Sequence, residues 1–151
     1  MKKLLFLSLI VLWQFSNAQH VENQLDWMTD FNEAKKIAKK ENKPILMLFT
    51  GSDWCPPCKA MHNELFQNKE FIELSHQVVL LMVDFPRRKP ISAEQRRKNA
   101  ELQRKFHHGG VPTFVAVDAD ENVLGKISGY RYGAPQRNIS FMKSMIAKVK
   151  K

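Results

Sequence analysis

A continuous apolar run, Ile45–Thr50 (ILMLFT), stops at Gly51 and passes within five residues into Cys55-Pro56-Pro57-Cys58. A short run of this kind, bounded here by Pro44 and Gly51, reads as a strand buried on both faces. Proline is tolerated in the first turn of a helix and breaks it later, so Pro56 and Pro57 pin a helix start to the CPPC segment. A buried strand, a tight turn and a helix N-terminus must therefore meet at Cys55. Few folds place them so.

The same position sets the chemistry open to the two thiols, which are the only cysteines of the chain. Free N–H groups and the positive end of the helix dipole favour an anion there, and cysteines so placed have pKa values lowered from about 8.5 to between about 3.5 and 7.5. The prolines remove two N–H donors, which leaves the Cys58 amide as the expected partner of the Cys55 sulfur. Residues three apart in a first helical turn also meet the roughly 4.4–6.8 Å Cα separation of a disulfide. Three uses compete. A structural staple closing a four-residue ring gains only roughly 2 kcal/mol, against roughly 3 for a fifteen-residue ring. A metal site would take Cys55 and Cys58 as soft ligands, with His62 one turn on and His107 and His108 further along. The third use is a pair that opens and closes as redox chemistry.

The remaining pattern alternates helices with buried strands. Apolar residues at three- and four-residue steps predict an amphipathic helix over Leu25–Lys40, broken by Asn42-Lys43-Pro44. Helix continues after Pro57 to about Phe66, with a further turn opened by Asn68. Val78–Asp84 is a second buried strand. A basic loop, Phe85–Pro90, leads to Ser92 and Gln95, which resemble a capping box opening a helix to about Phe106. Thr113–Asp118 and Val123–Ser128 flank turn residues and predict a hairpin, and Ile139–Val149 is a closing amphipathic helix. The order α, β, α, β, α, β, β, α implies an α/β fold with a mixed sheet covered by helices on both faces.

Compartment and charge narrow the function further. Lys2 and Lys3, the apolar Leu4–Trp13 and the ending Ser16-Asn17-Ala18 have the layout of a secretory signal, cleaved after Ala18, with an uncleaved anchor as the alternative. The apolar core is shorter than the about 20 residues of a membrane span, so no stable membrane insertion is expected after cleavage. Removing 18 of 151 residues leaves 133, one domain large enough to bury a core without covalent help. Discarding Lys2 and Lys3 lowers the net charge from +9 to +7. Much of it lies in Arg87-Arg88-Lys89 and Arg96-Arg97-Lys98, without the interleaved aromatics that stack bases, so no nucleic-acid partner is expected.

The segment DWCPPCK, Asp53–Lys59, following an apolar strand resembles the active-site segment of the thioredoxin superfamily. GGVPTF, Gly109–Phe114, is similar to that family's cis-proline loop, and NVLGKISGY, Asn122–Tyr130, to its terminal hairpin. FTGSDWC and VDFPRRKPISAEQ also resemble exported bacterial relatives of the C-terminal domain of thiol:disulfide interchange reductases. The resemblance covers about Leu25 to Val149 and implies a thioredoxin fold for residues 19–151. By this resemblance Cys55 is the catalytic nucleophile and Cys58 the resolving thiol. Trp54 is an apolar wall beside the sulfur, and Val111 and Pro112, with Pro112 cis, form a backbone edge for an extended substrate. The implied function is thiol–disulfide exchange with exported protein thiols, as a reductant fed by an upstream thiol donor. The chain would be periplasmic or secreted, monomeric and without a cofactor. The alternative is a thioredoxin-fold copper or zinc carrier using Cys55, Cys58 and a nearby histidine, and a third possibility is a binding module with inert cysteines. Two positions depart from the family: Phe49 stands where a buried aspartate serves proton transfer, and Leu80 where a lysine accompanies it. The proton of Cys58 then passes to water, Glu64 or His62.

Overall fold

The computed structural model describes residues 25–106 and 109–149. The expected signal segment, residues 1–18, and the candidate ligands His107 and His108 lie outside the described residues. The elements are α1 Phe31–Glu41, β1 Ile45–Thr50, α2 Pro56–Glu64, α3 Lys69–Ser75, β2 Val79–Asp84, α4 Ala93–Phe106, β3 Thr113–Val117, β4 Val123–Ser128 and α5 Gln136–Val149. The sheet order is β2-β1-β3-β4. β1 runs parallel to β2 and antiparallel to β3, and β3–β4 is an antiparallel hairpin, so the sheet is mixed as the element order implies.

Strand alternation divides the core in two. Leu46 and Leu48 of β1 face a cluster closed by Met61 and Leu65 at α2, Phe71 of α3 and Ile139 and Met142 of α5. Ile45, Met47 and Phe49 point the other way, against Ala34 and Ala38 of α1 and Leu102 and Phe106 of α4. All six residues of β1 are buried, which is why the strand reads as an unbroken apolar run rather than an alternating one. Phe49, at the position where the resemblance implies a buried aspartate, is 0% exposed inside this apolar cluster.

The helix expected from Leu25 begins instead at Phe31. Asp30 is its N-cap, accepting the amides of Asn32 and Glu33 at 2.9 and 3.1 Å. Before it the chain is extended along the open edge of β2, where the Met28 amide donates to Leu80 O at 2.9 Å and the Met82 amide donates to Met28 O at 2.8 Å. Leu25 and Trp27 pack on one core and Met28 on the other, as an extended segment alternates. The spacing of Leu25, Met28 and Phe31 suits a helix, but backbone bonds offered by the β2 edge and a capping aspartate decide otherwise.

The Ser92–Gln95 box forms by half. The Gln95 amide donates to Ser92 Oγ at 3.0 Å, while the Gln95 side chain turns away to donate to Thr29 O and Asn99 Oδ1. That choice ties α4 to the segment before α1. The closing helix starts three residues earlier than its apolar pattern, because Pro135 O accepts the amides of both Asn138 and Ile139.

Candidate active site

Cys55 is the N-cap of α2, with extended backbone (φ −89°, ψ 111°), and Pro56 and Pro57 occupy the first two helical positions. The Cys58 amide donates to the Cys55 sulfur at 3.3 Å, the bond expected from the loss of the two proline donors. Cys55 and Cys58 are joined in a disulfide with a Cα separation of 5.2 Å. Gly51 O accepts the Cys55 amide at 2.9 Å, so the strand exit folds directly into the helix start. In this oxidised state Cys55 is 3% exposed, less accessible than a nucleophile expected at an open helix end. The Val111 carbonyl oxygen lies 3.8 Å from the Cys55 sulfur.

Val111 and Pro112 directly precede β3. Their peptide bond is cis, and Pro112 O accepts the Gly129 amide at 2.8 Å, which fixes the loop to the end of β4. Thr113 Oγ1 donates to Gly110 O at 2.7 Å and closes the turn that precedes them. Cys55, Cys58, Val111 and Pro112, remote in sequence, are thus brought to one end of the sheet.

The Trp54 side chain is held by contacts on three sides. Its indole lies over Gly51, where an added Cβ would stand 2.4 Å from Cε2, and its Nε1–H donates to Phe85 O at 2.8 Å. The Arg87 guanidinium sits 3.9 Å from the ring centre on the indole face. Trp54 therefore joins the CPPC turn to the loop that follows β2.

Two carboxylates that the sequence reading did not single out complete that junction. Asp53 Oδ2 accepts the amides of Arg88 at 2.6 Å and Lys89 at 2.9 Å, and Oδ1 accepts that of Arg87 at 3.0 Å. These amide bonds hold the Asp53 pKa down to about 2. Asp84, the last residue of β2, accepts Ser52 N at 2.9 Å and Ser52 Oγ at 2.6 Å. An aspartate in a turn signals a backbone acceptor by type. The amides it catches, however, lie 34 to 36 residues on, beyond local pattern.

Beside Cys58 opens a cavity of about 500 Å³, lined among others by Lys59, His62, Asp84 and Lys89. Of the two side chains considered for the Cys58 proton, only His62 lines this cavity. Glu64 is committed elsewhere, accepting from Tyr130 Oη and from the Gly133 amide, both at 2.8 Å. Burial, together with the Glu64 carboxylate, pushes the Tyr130 phenol well above its ordinary pKa. His62 is bonded to Asn63 and its ring meets Phe66 edge-on. Among the described residues no three of histidine, cysteine, aspartate and glutamate group as metal ligands.

A model of the thioredoxin-like domain matches residues 31–138. Disulfide bond reductase DsbH of Chlamydia pneumoniae is 34% identical over 123 residues, covering 81% of this chain and 73% of that protein. The solved structure of a DsbH oxidoreductase aligns with a TM-score of 0.72 at 31% identity, over 87% of this chain and 93% of the other. The C-terminal domain of Neisseria meningitidis DsbD, in its reduced form, shares the fold with a TM-score of 0.56 at 18% identity, over 73% and 88% of the two chains. With a helix-capping disulfide inside the matched residues 31–138, the chain belongs to the thioredoxin-like family of thiol:disulfide oxidoreductases.

Proposed function

We propose that the chain reduces disulfides of exported proteins through its CPPC pair. In the dithiol form the Cys55 thiolate attacks one sulfur of a partner disulfide. A mixed disulfide forms and the partner's other sulfur leaves as a thiolate. Cys58 then loses its proton and attacks Cys55, which expels the second partner thiolate and leaves the Cys55–Cys58 disulfide. Two electrons pass from the dithiol to the partner, and an upstream thiol donor returns them. The observation that carries this reading is the Cys55 sulfur at the N-cap of α2, held by the Cys58 amide and faced by the Val111 carbonyl.

Trp54, Val111 and Pro112 form the substrate edge in this reading, with an extended partner segment laid along the Val111–Pro112 backbone. The proton of Cys58 leaves through the cavity it shares with His62 and Asp84. The direction follows the DsbH relative, whose name is that of a reductase. An oxidising exported compartment also leaves little need for another oxidant of this kind. Residues 1–18 act as the export signal, and the mature domain works as a periplasmic or secreted monomer without nucleic acid or membrane insertion. No described helix is long and apolar enough to cross a membrane.

The test is a Cys58→Ser chain expressed with its own N-terminus. It should accumulate partners as mixed disulfides on Cys55 that a thiol reductant releases. Equilibration with glutathione should give a potential close to that of thioredoxin, about −270 mV, and a value near −120 mV reverses the direction proposed. A chain that traps no partner and exchanges with no disulfide refutes the reading.

A further inference from the structure

The loop Phe85–Pro90 is fastened to the CPPC turn mainly through its backbone, with the Arg87 guanidinium on the Trp54 ring as its side-chain contact. Three consecutive amides, of Arg87, Arg88 and Lys89, converge on the Asp53 carboxylate, and Phe85 O takes the Trp54 indole N–H. Phe85 N donates to Thr50 O at 2.9 Å, so the loop also continues the β1–β2 pairing. This arrangement occupies the backbone and leaves the cationic side chains outward. All three residues are exposed. Among the described residues the ion pairs are made by lysines elsewhere, and none engages Arg87, Arg88 or Lys89.

In the second basic cluster, on α4, Lys98 alone makes ion pairs among the described residues. Lys98 is neutralised by Asp30 at 2.9 Å and Glu94 at 3.0 Å. Around the CPPC turn the two nearest acids are spent inward, Asp53 on amides and Asp84 on Ser52. Arg87 is set on the Trp54 ring beside the nucleophile's turn, and Lys89 and Lys59 line the cavity that includes Cys58. Unpaired cations held on a fixed rim at a reaction centre create a field that draws and orients anionic partners.

We propose that this rim selects its substrate: the segment presented to Cys55 is an acidic one, with aspartate or glutamate flanking the disulfide. The inference rests on the exchange reaction proposed above and names the class of protein segment it favours. Arg88 and Lys89 act as specificity determinants through their charge, and Asp53 positions them.

The experiment uses the reduced mature chain and three synthetic peptides that share one intramolecular disulfide, flanked by acidic, neutral or basic residues. Oxidation of the chain is followed by tryptophan emission at low ionic strength. The acidic peptide should react at least about 10-fold faster than the neutral one, and the basic peptide slower, within the 10- to 1,000-fold range of electrostatic steering. The preference should collapse in about 1 M salt, where the screening length falls to about 3 Å. The double variant Arg88→Glu with Lys89→Glu should invert the order. Arg88→Gln with Lys89→Gln should bring the ratio close to one. Each ratio is taken within one protein, so a changed overall rate does not mimic the effect. Equal rates for the three peptides in the unaltered chain overturn the proposal while leaving exchange intact. A reduced chain that exchanges with none of the three peptides overturns both readings.

Discussion

The Asp53 carboxylate accepts the Arg88 amide at 2.6 Å, across 35 residues of chain. That single relationship makes the turn before the nucleophile and the loop after β2 one unit. Ser52 reaches Asp84 and Trp54 reaches Phe85 in the same way, so three successive residues before Cys55 each hold the neighbouring segment. The disulfide therefore sits on a braced platform, and the braces are open to separate tests.

Acid should release the Asp53 brace. Three amides that bond its charged form hold the pKa at about 2, below its ordinary value of 3.8. A depressed carboxyl contributes stability that is present above the ordinary value and lost as pH falls through the depressed one. In residues 19–151 carrying Trp27→Phe, Trp54 emission should change between about pH 4 and pH 2, and Asp53→Asn should show the released signal already at neutral pH. Emission that is identical in the two chains at every pH contradicts the brace.

Gly51 owes its place to the indole above it. A Cβ at this position would stand 2.4 Å from Trp54 Cε2 and 2.6 Å from Nε1, closer than atoms pack. Gly51→Ala should displace the ring, break its bond to Phe85 O and unseat Arg87. The lost hydrogen bond and cation–π contact predict a destabilisation of about 1–2 kcal/mol. A shifted urea midpoint with an unchanged slope checks it, with Trp54→Ala expected to cost a similar amount.

The Tyr130–Glu64 bond links the end of α2 to the loop before α5. Burial first, and then the Glu64 carboxylate, raise the Tyr130 pKa well above 10. A raised value means that the contribution to stability is complete below pH 10 and is lost as pH rises past it. In a Tyr132→Phe chain the phenolate absorbance should therefore stay absent through pH 10, and Glu64→Gln should bring it down towards the ordinary range. Phenolate appearing at pH 10 in the unaltered pair refutes the coupling.

The elements that a sequence reading places well are those set by short-range patterns. The all-buried β1, the proline-pinned start of α2 and the Cys58 amide on the Cys55 sulfur all depend on residues within a few positions of each other. What escaped depends on partners far along the chain. Leu25–Asp30 has helical spacing, yet the free edge of β2, more than 50 residues on, draws Met28 into an isolated bridge. Asp53 reads as an ordinary turn residue until the loop amides arrive over it. Glu64 reads as a free acid near Cys58 until Tyr130 and Gly133 claim it.

Phe49 bears on how the Cys58 proton is handled. The side chain is fully buried among Leu102, Phe106 and other apolar groups, so an acid restored here would lack the polar surroundings it needs. Removing a buried phenylalanine alone costs about 3–5 kcal/mol, and a carboxyl in its place adds the penalty of burying charge. Burial would raise that carboxyl's pKa, so the destabilisation should be severe at neutral pH and ease in mild acid as the group takes up a proton. Urea unfolding of Phe49→Asp against Phe49→Leu at two pH values separates the charge penalty from the packing loss. Should Phe49→Asp instead match Phe49→Leu at neutral pH, an acid is tolerated under the sheet, and the cavity of His62 and Asp84 loses its place as the proton's exit.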